Sequence, residues 1–322
     1  MFGLTFLSAT SKTTTHRVVP FRMGRLLSSV AGYLAGGEDN GGNVSGIIKV
    51  AFPADTLTTL SATLTSARNG AAGFANSGVA GYSAGGYSST YISGIDKVSF
   101  PADTKTTLSA TLTTARSFFT GFANSGVAGY VASGEDSGGQ VSGIDKVAFP
   151  ADSKTTLSAT LTTSRKYVSG FANSGVAGYV AGGVDSGNYL NGIDKVAFPA
   201  DSKTTLSATL ALTRQAPTGF ANSGVAGYVA GGYNGSYISG IDKVAFAADT
   251  LTTLSATLTS GRFGLTGFAN SGTAGYTAGG TTGSLSSGID KVSFSADTKT
   301  TLSATLTTAV RFASGFANSG TL

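Results

Sequence analysis

The sequence predicts an all-β fold: a six-bladed β-propeller of four-stranded antiparallel blades, preceded by an extended N-terminal arm. The tripeptide Ala-Gly-Tyr recurs six times at a spacing of 48 or 49 residues. Each copy also contains four short segments of strand-type composition, and four strands in about 40–50 residues is typical of a propeller blade. Large apolar residues recur at fixed positions, which a disordered Gly-rich segment does not require. The six tripeptides end at Tyr33, Tyr82, Tyr130, Tyr179, Tyr228 and Tyr276.

The third copy illustrates the four predicted strands. The first is Gly121–Asn124, followed by a tight Asn-Ser-Gly turn, and the second is Val127–Ala132. The third is Ile144–Phe149, followed by a nearly invariant turn, Ala-Asp-(Thr/Ser)-(Lys/Leu)-Thr-Thr. The fourth is Leu157–Thr162, where apolar residues alternate with Ser and Thr. No copy has an amphipathic stretch of helical length, and the shorter coils of an extended β-solenoid fit this period less well.

The two ends of the chain predict how the ring closes. Gly315–Gly320 repeats the first-strand sequence with no second strand behind it. We therefore expect Phe316–Asn318 to pair beside Val30–Ala35 and to complete blade 1. A seventh, incomplete blade built from Leu4–Thr15 is the alternative. The predicted units are the arm, residues 1–29, and the propeller, residues 30–322.

Two repeated features resemble the kelch repeat: a Gly pair after the second strand and an Arg that closes each unit. The Gly pairs are Gly85-Gly86, Gly182-Gly183, Gly231-Gly232 and Gly279-Gly280, and the arginines are Arg68, Arg116, Arg165, Arg214, Arg262 and Arg311. Two departures are Leu108 and Leu157 in place of the kelch tryptophan, and Ser133-Gly134 in place of a Gly pair. The amino-acid sequence of the repeat resembles that of kelch-like arrays in bacteriophage tail and fibre proteins and in some bacteria. This resemblance implies a binding and structural role.

The net charge of +5 is concentrated in the arm. Its basic residues are Lys12, Arg17, Arg22 and Arg25, whereas the other 297 residues carry 17 basic and 16 acidic groups. We expect the arm to anchor the protein to a neighbouring subunit. A transit peptide is an alternative, because no acidic residue precedes Glu38. The four basic residues of the arm are too weak a signal to predict nucleic-acid binding. The sequence has no continuous apolar stretch of about 18 residues, so it predicts no membrane span.

The loops of the repeat predict two different ends of the ring. Loops after the first and third strands are nearly invariant, whereas those after the second strand and after the Arg vary freely. Both variable sets should lie at one end and form a ligand-binding surface for a partner protein or a host-surface glycan. The alternative is that their rings only plug the ends of the blades. The aromatic residues in these loops are Tyr87, Tyr91, Phe118, Phe119, Tyr167, Tyr189, Tyr233, Tyr237 and Phe263.

Charged residues also repeat with the blade. Adjacent Asp and Lys residues in the third strand point to opposite faces, so they cannot jointly ligate one ion. We expect each of these aspartates to pair with an Arg or with backbone N–H groups. The aspartates of the invariant turn are predicted to cap it. The two sets are Asp96, Asp145, Asp194, Asp242 and Asp290, and Asp55, Asp103, Asp152, Asp201, Asp249 and Asp297.

The same residues argue against catalysis, a cofactor or a metal site. There is no cysteine, and the one histidine, His16, lies in the arm, so the copper centre of kelch-like oxidases has no ligands here. Carboxylates for glycoside hydrolysis would have to come from Glu38-Asp39, Glu135-Asp136 and Asp185, which lie on separate blades.

The sequence thus predicts a non-enzymatic structural or adhesive component of a bacteriophage virion, in the tail or fibre, whose partners are other virion proteins. A bacterial kelch-like scaffold, in the cytoplasm or at the cell surface, is the alternative.

Overall fold

A computed structural model describes residues 30–319, which form six β-sheets of four antiparallel strands each and contain no helix. In every sheet the innermost, second, third and outermost strands are hydrogen-bonded in that order. The six innermost strands contact one another in a closed ring around one axis. The predicted six-bladed propeller is confirmed, and the solenoid alternative is wrong.

The blades are numbered by the order of their second strands. In blades 1 to 6, the innermost strands are Ser314–Ala317, Ala72–Asn76, Thr120–Asn124, Ser169–Asn173, Thr218–Asn222 and Thr266–Asn270. The second strands are Ala31–Ala35, Ala80–Ala84, Ala128–Ala132, Ala177–Ala181, Ala226–Ala230 and Ala274–Ala278. The third strands are Ile47–Ala51, Ile95–Ser99, Ile144–Ala148, Ile193–Ala197, Ile241–Ala245 and Ile289–Ser293. The outermost strands are Thr56–Thr59, Thr104–Thr107, Ser153–Thr156, Ser202–Thr205, Thr250–Thr253 and Lys299–Thr301. Short hairpins follow three second strands, at Glu38–Asp39 with Gly42–Asn43, Glu135–Asp136 with Gly139–Gln140, and Val184–Asp185 with Asn188–Tyr189.

Blade 1 joins the two ends of the described chain, as predicted. Its innermost strand pairs with its second strand so that Phe316 lies opposite Tyr33, and the Asn318 N–H donates to the Ala31 carbonyl at 2.8 Å. The sheet therefore closes the ring by hydrogen bonds between residues far apart in sequence. The alternative seventh blade at Leu4–Thr15 and the basic arm lie outside the described residues.

The glycine of the Ala-Gly-Tyr tripeptide allows neighbouring blades to approach. A Cβ atom added at Gly129 would overlap the ring of Phe74 in the preceding blade. The innermost strands are equally close, since a Cβ atom at Gly121 would overlap the Gly73 carbonyl. These glycines repeat because only a residue without a side chain fits where backbone or ring approaches so closely.

Between neighbouring blades lies an interface that we call a seam, and its core is an aromatic stack. In the seam between blades 2 and 3, the rings of Phe74 and Tyr82 stack with centroids 4.9 Å apart, and Phe149 stacks on Tyr82 at 5.2 Å. All three rings are buried. The same three-ring stack recurs at the other seams, so each blade stabilises the next.

The prediction of a fourth strand at Leu157–Thr162 is wrong. Asp152 has a φ of 52° and reverses the chain directly after the third strand, so the outermost strand is Ser153–Thr156, within the segment predicted as a turn. Leu157–Thr162 instead begins the connection back to the axis, where Leu161 is buried. Its apolar alternation reflects packing of this connection and not strand pairing.

Candidate recognition face

Each blade has loops at both ends, and the antiparallel topology separates them as predicted. The constant end carries the loops after the innermost and third strands, such as Asn124–Gly126 and Pro150–Asp152. The variable end carries the loops after the second and outermost strands, such as Glu135–Val141 and Leu157–Val168. Because the outermost strand ends earlier than predicted, the invariant Leu-Ser-Ala-Thr-Leu segments also belong to the variable end.

The constant end consists of repeated hydrogen bonds between neighbouring blades. The Gly126 N–H donates to Asn76 Oδ1, and the Ser77 N–H donates to Ser125 Oγ, both at 3.0 Å. The same two bonds join the turns of blades 3 and 4 and of blades 4 and 5. The polar groups of these turns are therefore committed to holding blades together.

At the variable end, six connections meet around the axis in a closed ring of backbone hydrogen bonds. The Phe118 N–H donates to the Gly70 carbonyl, the Tyr167 N–H to the Phe118 carbonyl, and so on around the ring, with N···O distances of 2.7–3.0 Å. Every residue of this ring has a left-handed φ. The six residues are Gly70, Phe118, Tyr167, Ala216, Gly264 and Phe312.

Three aromatic side chains cover the axis at the level of these backbone hydrogen bonds. The ring centroids of Phe118 and Tyr167 are 4.5 Å apart, and Phe312 lies 5.4 Å from the first and 5.6 Å from the second. Burial raises the pKa of Tyr167 to about 12. Below them the axial cavity is small, about 90 Å³, and is lined by the innermost strands. Phe118 and Tyr167 therefore act as plugs.

The repeat pattern does not identify Phe312, because Arg311 resembles the closing Arg of the last unit. The Gly280 N–H donates to the Val310 carbonyl, just as the Gly86 N–H donates to the Arg116 carbonyl. Val310 thus occupies the Arg position, and the assignment of Arg311 is wrong by one residue. Counting back from the innermost strand, Ser314–Ala317, would have found the correct register.

The remaining candidate aromatic residues form two groups at the variable end, except for one that is buried in the core. Phe119 is the exception, because it is buried in the core beside Gly85 and Leu112. Tyr87 and Tyr91 form an edge-to-face pair on blade 2, with centroids 5.3 Å apart. A second group extends from the axis, through Phe312, toward the rim of blades 4 and 5, and Tyr237 in it is 40 % exposed. Its other members are Tyr189, Tyr233 and Phe263.

The Tyr87–Tyr91 pair lines a cleft of about 580 Å³ between blades 2 and 3. Asp136 and Ser137 of blade 3 also line this cleft, as do Thr90 and Thr114. Burial and the nearby Glu135 carboxylate raise the pKa of Tyr91. An aromatic surface beside a carboxylate and several hydroxyls can bind a polar ligand that also has an apolar face.

The third-strand aspartates have a structural role, as predicted. Asp145 is buried, accepts a hydrogen bond from Arg116 at 3.1 Å, and accepts another from the Thr113 N–H at 3.0 Å. Burial alone would raise the pKa of Asp96, but hydrogen bonds from Thr65 and Thr107 and the charge of Arg68 hold it below its ordinary value. The five ion pairs are Arg68–Asp96, Arg116–Asp145, Arg165–Asp194, Arg214–Asp242 and Arg262–Asp290.

The aspartates of the invariant turns also act across the seams, whereas we had expected them to cap their own turns. Asp152 in blade 3 accepts hydrogen bonds from Tyr82 Oη at 2.8 Å and from Lys97 Nζ at 2.6 Å, both in blade 2. Burial, and then the hydrogen bond to Asp152, raises the pKa of Tyr82. The same triad recurs at all six seams, including the one between blades 6 and 1.

Two of the carboxylates considered for catalysis have internal partners. Glu38 binds Arg311 at 2.9 Å and Glu135 binds Lys166 at 2.8 Å. Within residues 30–319, no three His, Cys, Asp or Glu side chains are grouped so that they could hold a metal ion. In that same part of the chain there is no helix of the length and apolarity needed to cross a membrane. The anchoring residues Lys12, Arg17, Arg22 and Arg25, and also His16, lie outside it.

No family model matches the chain, and no curated protein matches it.

Proposed function

We propose that this chain is a non-enzymatic binding and structural protein of a bacteriophage virion, in the tail or fibre. Its variable end binds a partner protein or a host-surface glycan, and its basic arm anchors it to a neighbouring virion subunit. The propeller fold, with one constant and one variable end, suits a protein-binding scaffold. A kelch-like origin is part of the proposal, and the Gly pair after the second strand, as in Gly85-Gly86, supports it.

One observation carries the binding part of this proposal. The charged residues that repeat with the blades pair with each other inside the seams, whereas the half-exposed aromatics lie in variable loops at one end. Aromatic side chains at a surface provide large contact area, and clustered ones mark binding sites more often than core structure. Phe118 and Tyr167 serve as plugs and Phe119 is buried in the core, so the Tyr87–Tyr91 and Tyr233–Tyr237 pairs are the binding candidates.

The binding surface can be tested with paired variants. Tyr87→Ala/Tyr91→Ala and Tyr233→Ala/Tyr237→Ala should each weaken binding to purified virion proteins or to a glycan array by about tenfold or more. Truncating an aromatic residue at the centre of an interface costs about 2 kcal/mol or more, and a tenfold change in affinity corresponds to about 1.4 kcal/mol. The matched control is Val127→Ala/Val176→Ala, which changes two half-exposed residues of the constant end. Equal binding by all three variants would remove the variable end as the recognition surface.

The virion assignment has its own test. Mass spectrometry of purified phage particles should detect the chain, and deleting residues 1–25 should prevent its incorporation. Absence from particles, together with neighbouring genes from a cellular operon, would instead support a bacterial scaffold.

The absence of catalysis is also part of the proposal. Cleavage of a host polysaccharide by the purified protein, abolished in the Glu135→Gln variant, would overturn it.

A further inference from the structure

Five of the six seams contain the same buried ionic cluster near the variable end. In the seam of blade 3, Arg116 pairs with Asp145 at 3.1 Å, and Lys154 lies 3.9 Å from the same carboxylate. The hydroxyls of Thr113 and Thr156 donate to that carboxylate at 2.7 and 2.8 Å. Blade 5 keeps the Arg and the Asp but has Leu251 at the Lys position.

The seam between blades 6 and 1 has no charged residue at any of these three positions. Val310 occupies the Arg position, Ile48 the Asp position and Leu57 the Lys position. Both threonines remain, and Thr59 Oγ1 lies 3.3 Å from Thr307 Oγ1. Removing one partner of a buried ion pair leaves an unpaired charge, whereas replacing all partners with apolar residues avoids that penalty.

This replacement leaves an open cleft where other seams hold a guanidinium group. A Cβ atom at Gly143, Gly192 or Gly288 would lie 3.7–3.8 Å from an arginine Nη1 atom, and one at Gly94 or Gly240 would lie 3.8–3.9 Å from an isoleucine Cγ2 atom. A Cβ atom at the equivalent Gly46 would have no atom within 4 Å. The cleft at Gly46 has a volume of about 490 Å³. Its apolar lining residues are Leu34, Val44, Ile48, Ala67 and Val310, and the hydroxyl-bearing residues of its lining are Ser45, Thr59, Thr63, Thr307 and Thr308.

We propose that this cleft is a binding site for one small, uncharged, hydrophobic molecule that carries a hydrogen-bonding group. Ligand pockets of about 300–1,000 Å³ with an apolar wall and a few polar groups are typical small-molecule sites. A charged ligand would find no ion-pair partner here, because among the six seams of the described chain this is the one without an Arg–Asp pair. The site therefore binds one molecule per chain, although the ring has six similar seams.

The test uses the neutral, environment-sensitive dye Nile red and the full-length chain. The wild type should bind the dye with a stoichiometry of one. The Ile48→Asp/Val310→Arg variant restores the ion pair of the other seams and should weaken dye binding by at least about tenfold, because a guanidinium group fills the cleft. Val127→Ser, at the constant end, is the control and should bind the dye like the wild type.

A converse variant makes the test independent of how well the first one folds. Arg116→Val/Asp145→Ile/Lys154→Leu copies the apolar seam into blade 3 and should raise the stoichiometry from one to two. The proposal is overturned if the wild type binds no dye or binds several molecules. Unchanged binding by a folded Ile48→Asp/Val310→Arg variant also overturns it. If that variant does not fold by circular dichroism, the converse variant decides: two molecules support the site, and an unchanged stoichiometry contradicts it.

Discussion

At the scale of single residues, the molecule uses its charges to join blades. Asp194 is buried and accepts hydrogen bonds from Arg165 Nη2, the Thr162 N–H and Thr205 Oγ1. Asp249, in the next blade, binds Tyr179 and Lys195 across the other seam. Nearly every repeated polar side chain thus has a partner one blade away, which explains why these residues repeat together.

Truncating Asp194 should be strongly destabilising. Asp194→Ala leaves the Arg165 guanidinium buried without its carboxylate, and breaking a buried pair in this way costs about 3–5 kcal/mol. Asp136→Ala is the matched control, because Asp136 accepts a hydrogen bond from the Gly138 N–H of its own hairpin turn, and the loss of this bond should cost about 1 kcal/mol or less. Free energies of unfolding in urea distinguish the two. Similar losses of unfolding free energy in the two variants would show that the buried Arg165–Asp194 pair contributes no more to stability than an exposed hydrogen bond.

The Asp194 carboxylate should make the free energy of unfolding depend on pH. Burial opposes ionisation of Asp194, but hydrogen bonds from Thr205 and Thr162 and the charge of Arg165 lower its pKa below the ordinary value of 3.8. A group whose pKa is lower in the folded state stabilises the fold above its ordinary pKa, and this contribution is lost as the pH falls through the folded-state value. Unfolding free energy measured from pH 7 to pH 2 should therefore decrease below about pH 4. The decrease should be smaller for Asp194→Asn, and an identical decrease would contradict this assignment.

At the scale of elements, glycine spacing and chain reversals determine how blades pack. Gly129 is required by the Phe74 ring of the preceding blade, whereas Gly46 has open space around it and an ordinary φ. The same residue type thus has a packing role in one strand and none at the end of a loop.

Alanine substitutions at these two glycines should differ sharply. Gly129→Ala forces Phe74 out of its stack with Tyr82 and should cost about 1–3 kcal/mol or more, as overpacking of a close-packed core does. Gly46→Ala should change the unfolding free energy by less than about 0.5 kcal/mol, as is usual away from packed sites. Equal effects would mean that blades do not pack as tightly as the Gly129–Phe74 contact requires.

Three of the four strands of each blade were predictable from local pattern, because their apolar residues face the seams. The outermost strand was not, because its Thr-rich face is exposed and carries no apolar signal; only the left-handed Asp152 marks the reversal before it. The ring of backbone hydrogen bonds around the axis could not be predicted from the sequence either, because its members, such as Gly70, Tyr167 and Ala216, share no residue type. The binding role of the aromatic pairs stays a prediction.

At the scale of the whole molecule, one strand completes the ring. Ser314–Ala317 occupies the innermost position of blade 1, and Phe316 stacks on Tyr33 with centroids 5.3 Å apart. This closure was predictable because the first-strand sequence reappears near the end of the chain without its partner strand. The apolar seam between blades 6 and 1 lies beside this strand, so the closing blade differs from the other five in packing as well as in connectivity.

Removing the closing strand should open the ring. A chain lacking residues 314–322 leaves Tyr33 and the edge of its strand uncovered, and such edges promote association, so we expect larger species than the intact chain forms. A synthetic peptide of residues 314–322 should restore the size of the intact chain, and the same peptide with Phe316→Ala should do so less well. Analytical ultracentrifugation measures the size of each species. A truncated chain with unchanged association and equal stability would contradict closure by this strand.

The central claim is that partners bind at the variable end. Electron cryomicroscopy of the protein in its native assembly tests it most directly, because it shows which end touches a neighbour or a ligand. We expect contacts at the Tyr87–Tyr91 and Tyr233–Tyr237 pairs and an uncovered circle of Asn-Ser-Gly turns. Contacts confined to those turns, with both tyrosine pairs facing solvent, would contradict the claim.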